Sequence, residues 1–96
     1  MKIDFSQPLT DVKGKPLKKG EECFTLYDIC VDALLGYAAN PGQNAELFVL
    51  WKKIADSGEI DLKAEDVVLL KERLEHCPIY TPLATGQAIV MLDSAG

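Results

Sequence analysis

The chain reads as an α+β fold, an N-terminal β-hairpin followed by a bundle of about four helices. Three observations predict it. Ile3 and Phe5 alternate with polar neighbours ahead of a turn-forming Asp11-Val12-Lys13-Gly14. Apolar residues then recur at helical spacing in three later stretches. Glycine or proline closes each stretch, at Gly36, Gly58 and Pro78. A period of two marks a half-buried strand, and a period near 3.6 marks a helix with one buried face.

In the hairpin arm, Pro8 limits pairing, so the first strand lies at an edge or ends early. Asp11 can bond its own backbone and Gly14 supplies positive φ, which makes a turn. Pro16 and Leu17 begin the return. Leu9, Val12 and Leu17 are the candidates to face the core. A lone hairpin is marginal in water, so this one must dock on the helices or on another chain.

The first helix is predicted from Thr25, the N-cap, with Asp28 completing a shortened capping box. Leu26, Ile29, Cys30, Ala33 and Leu34 form its apolar face, and Gly36 stops it. After an Asn40-Pro41-Gly42 loop, with Asn44 as a cap, a second helix is predicted over Ala45–Ser57 and closed by Gly58. There Leu47, Leu50, Trp51 and Ile54 share a face, Phe48 and Ala55 extend it, and Val49 lies off it.

Ile60 to Leu62 is an extended lead-in to a third helix ending at Cys77. Val67, Leu70 and Leu74 share its buried face, and Val68 and Leu69 suggest cover on two sides. Its early acids, Glu65 and Asp66, and its later Lys71 and Arg73 suit the helix dipole. Pro78 ends it. Thr81 and Pro82 start a fourth helix with Thr85, Ala88, Ile89 and Leu92 on one face. Gly86 within it costs about 1 kcal/mol relative to alanine, which predicts compensation by a close helix approach. Asp93 to Gly96 are expected to fray.

The 96 residues make one domain, with 1–20 as the arm, 21–93 as the helical body and 94–96 as a tail. A chain this size buries roughly 60–70% of its unfolded surface, enough for one core without metals or disulfides. A hydrophobic fraction of 48% beside 26% charged residues argues against disorder. No run approaches the roughly 18 apolar residues that span a bilayer. The first residues lack the apolar stretch of a signal peptide, so a cytoplasmic location is expected.

Charge is uneven within a net −5. Residues 1–20 hold five lysines against two acids; residues 21–96 hold five basic groups against thirteen acids. The acidic body disfavours direct nucleic-acid binding. The arm, with Lys13 and Lys15 at its turn, is a candidate contact for an acidic partner.

The cysteines, Cys23, Cys30 and Cys77, are odd in number and widely spaced, which fits a reducing compartment and no disulfide framework. No zinc-type spacing links them to His76, so no metal or cofactor is expected. His76 and Cys77 are adjacent, so their side chains point about 100° apart on a helix, the wrong arrangement for a nucleophile and its base. Cys77 continues the buried face and reads as a small hydrophobe. The carboxylates Glu65, Asp66, Glu72 and Glu75 read as a solvated face. No phosphate loop, nucleophile elbow or HExxH motif occurs, which disfavours an enzyme.

Phe48, Val49 and Trp51 are the candidate interaction residues, with Tyr37 a further aromatic: helical packing absorbs some of them, and those left exposed mark an interface.

The arm's DVKGKPL, the stretch TLYDICVDALL, and the pair IDLKAEDVVLLKERL and YTPLATGQAIVMLD resemble small proteins encoded by tailed phages and prophages. The resemblance spans most of the chain. It departs at Lys63, where a Ser or Thr cap is expected. The resemblance implies a phage or prophage origin but no particular chemistry. Together with the missing catalytic motifs, the expectation is a non-enzymatic protein in the bacterial host's cytoplasm, or associated with the virion, that serves virion assembly or modulates a host protein through a protein partner or self-association. The alternative expectation is an acidic mimic of nucleic acid that inhibits a host DNA-binding protein.

Overall fold

The computed structural model describes residues 2–38, 41–55 and 58–94. Their order is β1 (Lys2–Asp4), β2 (Lys18–Lys19), β3 (Glu22–Cys23), α1 (Leu26–Leu35), α2 (Asn44–Ile54), β4 (Glu59–Asp61), α3 (Ala64–Glu75) and α4 (Pro82–Ser94). The fold is α+β, a β arm followed by four helices.

Helix α1 is the hub: it packs against α2, α3 and α4, and α3 packs on α4. All five residues of its predicted face are buried. The capping box forms as read, with the Thr25 side chain and the Asp28 carboxylate serving each other's backbone N–H groups. Two further first-turn donors reach the arm instead. Leu26 N–H donates to the Gln7 carbonyl and Tyr27 N–H to the Phe5 carbonyl, both at 2.8 Å. The helix start, which has no intrahelical partners for these groups, thereby fixes the arm.

The first strand does not pair with the return at Pro16 and Leu17, which corrects the single hairpin expected for the arm. β1 runs antiparallel to β4, with Ile3 opposite Ile60, and Phe5 N–H extends the pair to the Gly58 carbonyl at 2.8 Å. The Asp11–Gly14 turn closes where expected through an isolated Thr10–Pro16 bridge. β2 and β3 form a separate small hairpin. Ile3, Phe5 and Leu9 are buried and Leu17 packs on the core. Val12 corrects the reading: it is 84% exposed, because it sits in the turn itself.

Other expectations shift for local reasons. Asn44 is the first helical residue of α2, and Gln43 is its N-cap, with no side-chain cap bond. The helix ends at Ile54, short of the predicted bound; Ser57 lies outside the described residues. α3 is covered by both α1 and α4, and Leu69 is buried, but Val68 is 52% exposed and takes no part in that cover. At Lys63 the Asp66 carboxylate accepts the backbone N–H at 3.4 Å, taking part of the role expected of a cap. Thr85 and Ile89 are half-buried, and Ala84 joins Ala88 and Leu92 in the core. Nothing lies within 4 Å of a Cβ placed on Gly86, so no close helix approach compensates for it. Asp93 and Ser94 are helical, held by a 2.5 Å Lys71–Asp93 ion pair and a Ser94 hydroxyl bond to the Val90 carbonyl; Ala95 and Gly96 lie outside the described residues.

Candidate interaction surface

Helix α2 divides its apolar residues between two faces. Leu47, Leu50 and Ile54 are buried at i, i+3 and i+7, the spacing of one stripe. Trp51 is half-buried and packs against the core. Phe48 and Val49 fall outside that stripe and are 49% and 54% exposed. Phe48 therefore does not extend the buried face. Its ring lies 5.4 Å from that of Trp51, tilted at 46°, a favourable aromatic geometry. The Lys52 ammonium sits 5.6 Å from the Phe48 centroid, within cation–π range. These contacts bias the rings toward one arrangement, which lowers the ordering cost of docking.

Val49 also borders a shallow depression of about 280 Å³ between α2 and α3, where Leu50 and Leu69 meet Glu46, Lys53 and Asp66. Lys53 and Asp66 pair across its rim at 3.2 Å. An apolar centre with a charged rim is the general anatomy of a protein–protein contact.

Tyr37 does not join this surface. Its ring lies 3.7 Å from the Arg73 guanidinium carbon. Its hydroxyl donates to the Arg73 carbonyl at 2.5 Å. Burial raises the Tyr37 pKa, partly offset by the arginine's positive charge. Lys13 and Lys15 are exposed on the arm turn, where the Asp11 carboxylate accepts both backbone N–H groups at 2.8 and 3.0 Å. The arm is held to α4 by Gln87, whose side chain accepts from Thr10 N–H at 2.9 Å and donates to the Thr10 carbonyl.

The histidine and the three cysteines stand in different surroundings. His76 is exposed with its Nδ1 2.9 Å from the Glu72 carbonyl. Cys77 is 8% exposed. Cys30 is fully enclosed, and burial drives its thiol pKa far above the ordinary range. Cys23 is exposed, with the Lys18 ammonium 3.5 Å from its sulfur. Among the described residues no three His, Cys, Asp or Glu side chains converge as a metal site. A polar cavity of about 310 Å³ beside α3 is lined by Tyr37, Gln43, Glu72, Arg73 and His76, and four of its arginine's five N–H groups are already taken by backbone carbonyls. Arg73 donates to the carbonyls of Ala33, Leu34, Tyr37 and Ala38 at 2.8 to 3.3 Å.

That role of Arg73 is the functional-looking feature that sequence reasoning missed. The signal was present: position 73 lies three residues after Leu70, on the buried side of α3, where a charge has to find a partner.

The chain matches no known protein family, and no curated protein or solved structure is similar to it. No helix among the described residues is long and apolar enough to cross a membrane.

Proposed function

We propose that this protein is a non-enzymatic interaction module of phage or prophage origin, acting in virion assembly or as a modulator of a host protein in the bacterial cytoplasm. The observation that carries the reading is the outer side of α2: Phe48 stands half-exposed against the Trp51 ring, and Val49, the next residue round the helix, stands half-exposed at the edge of the depression between α2 and α3. Large exposed apolar side chains grouped within a charged rim mark docking sites. The thiols add weight, since Cys30 and Cys77 fill space in the core. The phage origin rests on the resemblance of the sequence segments.

Several acids are engaged by partners within the chain, which favours docking over mimicry of a phosphate backbone. Asp28 caps α1, Asp32 accepts from the Tyr80 hydroxyl, Asp66 pairs with Lys53 and Asp93 with Lys71.

The test is capture from bacterial lysate with the wild-type chain and with the double variant Phe48→Asp, Val49→Asp, alongside light scattering of each. The wild type should retain a discrete protein or self-associate, and the variant should do neither while remaining folded. Equal behaviour of the two chains would remove the reading.

A further inference from the structure

We infer that a second surface, the groove between the arm and the start of α4, docks an acidic peptide segment that carries apolar side chains. It lies on elements other than α2 and stands independently of the reading above.

The groove encloses about 440 Å³ and is lined by Leu17, Lys18, Phe24, Ile79, Tyr80 and Leu83. Its floor is ordered. The Phe24 and Tyr80 rings meet at 5.3 Å, and the Tyr80 hydroxyl donates to Asp32 on α1, which holds the ring in place. Its walls remain uncovered, with Ile79 47% and Leu83 39% exposed. Hydrophobic side chains of an incoming segment would complete this contact by removing both walls from water.

Charge decides the class of segment. Lys18 stands at the rim, and its hydrogen-bond partner is the sulfur of Cys23, a weak acceptor. Lys13 and Lys15 lie on the same arm. The ion pairs seen among the described residues, Lys53–Asp66 and Lys71–Asp93, involve none of these three lysines. The first turn of α4 carries no acid, so the positive end of its dipole is not neutralised there. The rest of the chain is strongly acidic. Asp32 sits behind Tyr80, where it accepts the phenol hydroxyl, so the charged side chain that lines the groove is Lys18, and it sets the sign an incoming segment meets.

The open walls favour a peptide over a small amphiphile, because small-molecule sites bury most of their ligand. A peptide needs only its side chains accommodated.

The experiment is a ¹H–¹⁵N titration of the intact protein with a short synthetic peptide of Leu and Phe separated by Asp and Glu. A counterpart with Lys at every acidic position and sodium decanoate are run in parallel. The acidic peptide should give saturable shifts centred on Leu17, Lys18, Phe24, Ile79 and Leu83. Lys18→Glu should weaken it roughly three- to tenfold, and Leu83→Asp should abolish saturation. Phe48→Asp should leave this titration intact, which separates failure here from failure of the α2 surface. No saturable shift, shifts centred on α2, equal binding of the lysine peptide, or decanoate saturating the groove while the acidic peptide does not would each overturn the proposal.

Discussion

Arg73 and Tyr37 hold each other: the guanidinium lies over the phenol ring at 3.7 Å, and the phenol hydroxyl donates to the arginine's own carbonyl at 2.5 Å. The same guanidinium caps the end of α1 through the Ala33 and Leu34 carbonyls and ties down the segment after it through those of Tyr37 and Ala38. Charged donors near a helix C-terminus satisfy its open carbonyls and its dipole together. The α1–α3 contact is thus polar at its edge as well as apolar at its centre.

Arg73→Met should lower stability by roughly 3 kcal/mol, because it leaves several carbonyls short of donors in a buried place. Arg73→Lys should cost about half as much. A lysine keeps the charge but lacks the planar fork that reaches separate carbonyls at once. Urea unfolding midpoints of the three chains measure this; equal midpoints for the lysine and wild-type proteins would show that charge alone suffices.

Two glycines should respond in opposite directions. At Gly36 the backbone is ordinary, with φ −85°, but an added Cβ would sit 2.5 Å from the Asp32 carbonyl oxygen and 2.8 Å from the Ile79 side chain. Gly36→Ala should therefore destabilise by about 1–3 kcal/mol through overpacking. Gly86 lies inside α4 with open space around it, so Gly86→Ala should stabilise by about 1 kcal/mol through helix propensity. Thermal unfolding of both variants decides the matter.

Alkaline pH should expose the Tyr80 anchor. Burial, then its hydrogen bond to Asp32, raises the Tyr80 pKa well above the usual tyrosine range. The folded state therefore holds this proton where the unfolded chain has released it. Stability is fully present below the unfolded value of about 10 and falls as pH rises above it. Tyr37, raised mainly by burial, acts in the same direction. Unfolding free energy followed from pH 8 upward should decline more steeply for the wild type than for Tyr80→Phe.

The helices were legible where packing repeats along the chain. Leu26 to Leu34 and Val67 to Leu74 each show a stripe that local spacing encodes, and Thr25 with Asp28 announces a helix start. Long-range pairing was not legible. Nothing near Lys2–Asp4 says that its partner is Glu59–Asp61, because register there is set by the way α1 and α2 return the chain. Val12 was misplaced because turn geometry outranks its hydrophobicity. Gln87 gave no sign of reaching Thr10, since a lone amide on a helix has no periodicity. Of the α2 surface, Val49 was readable as lying off the buried stripe. Phe48 was not, because only the three-dimensional packing shows that Trp51 takes the space beside the core.

The most direct test of action by contact places a photoreactive amino acid at Val49 in the intact chain and irradiates living bacterial cells that express it. The account predicts one discrete covalent adduct, to a host or phage protein or to a second copy, that is lost when Phe48 is replaced by Asp. The same reporter at exposed Glu65 on α3 should give none. Uncrosslinked chain at both positions, or a diffuse smear of equal strength at each, would contradict it.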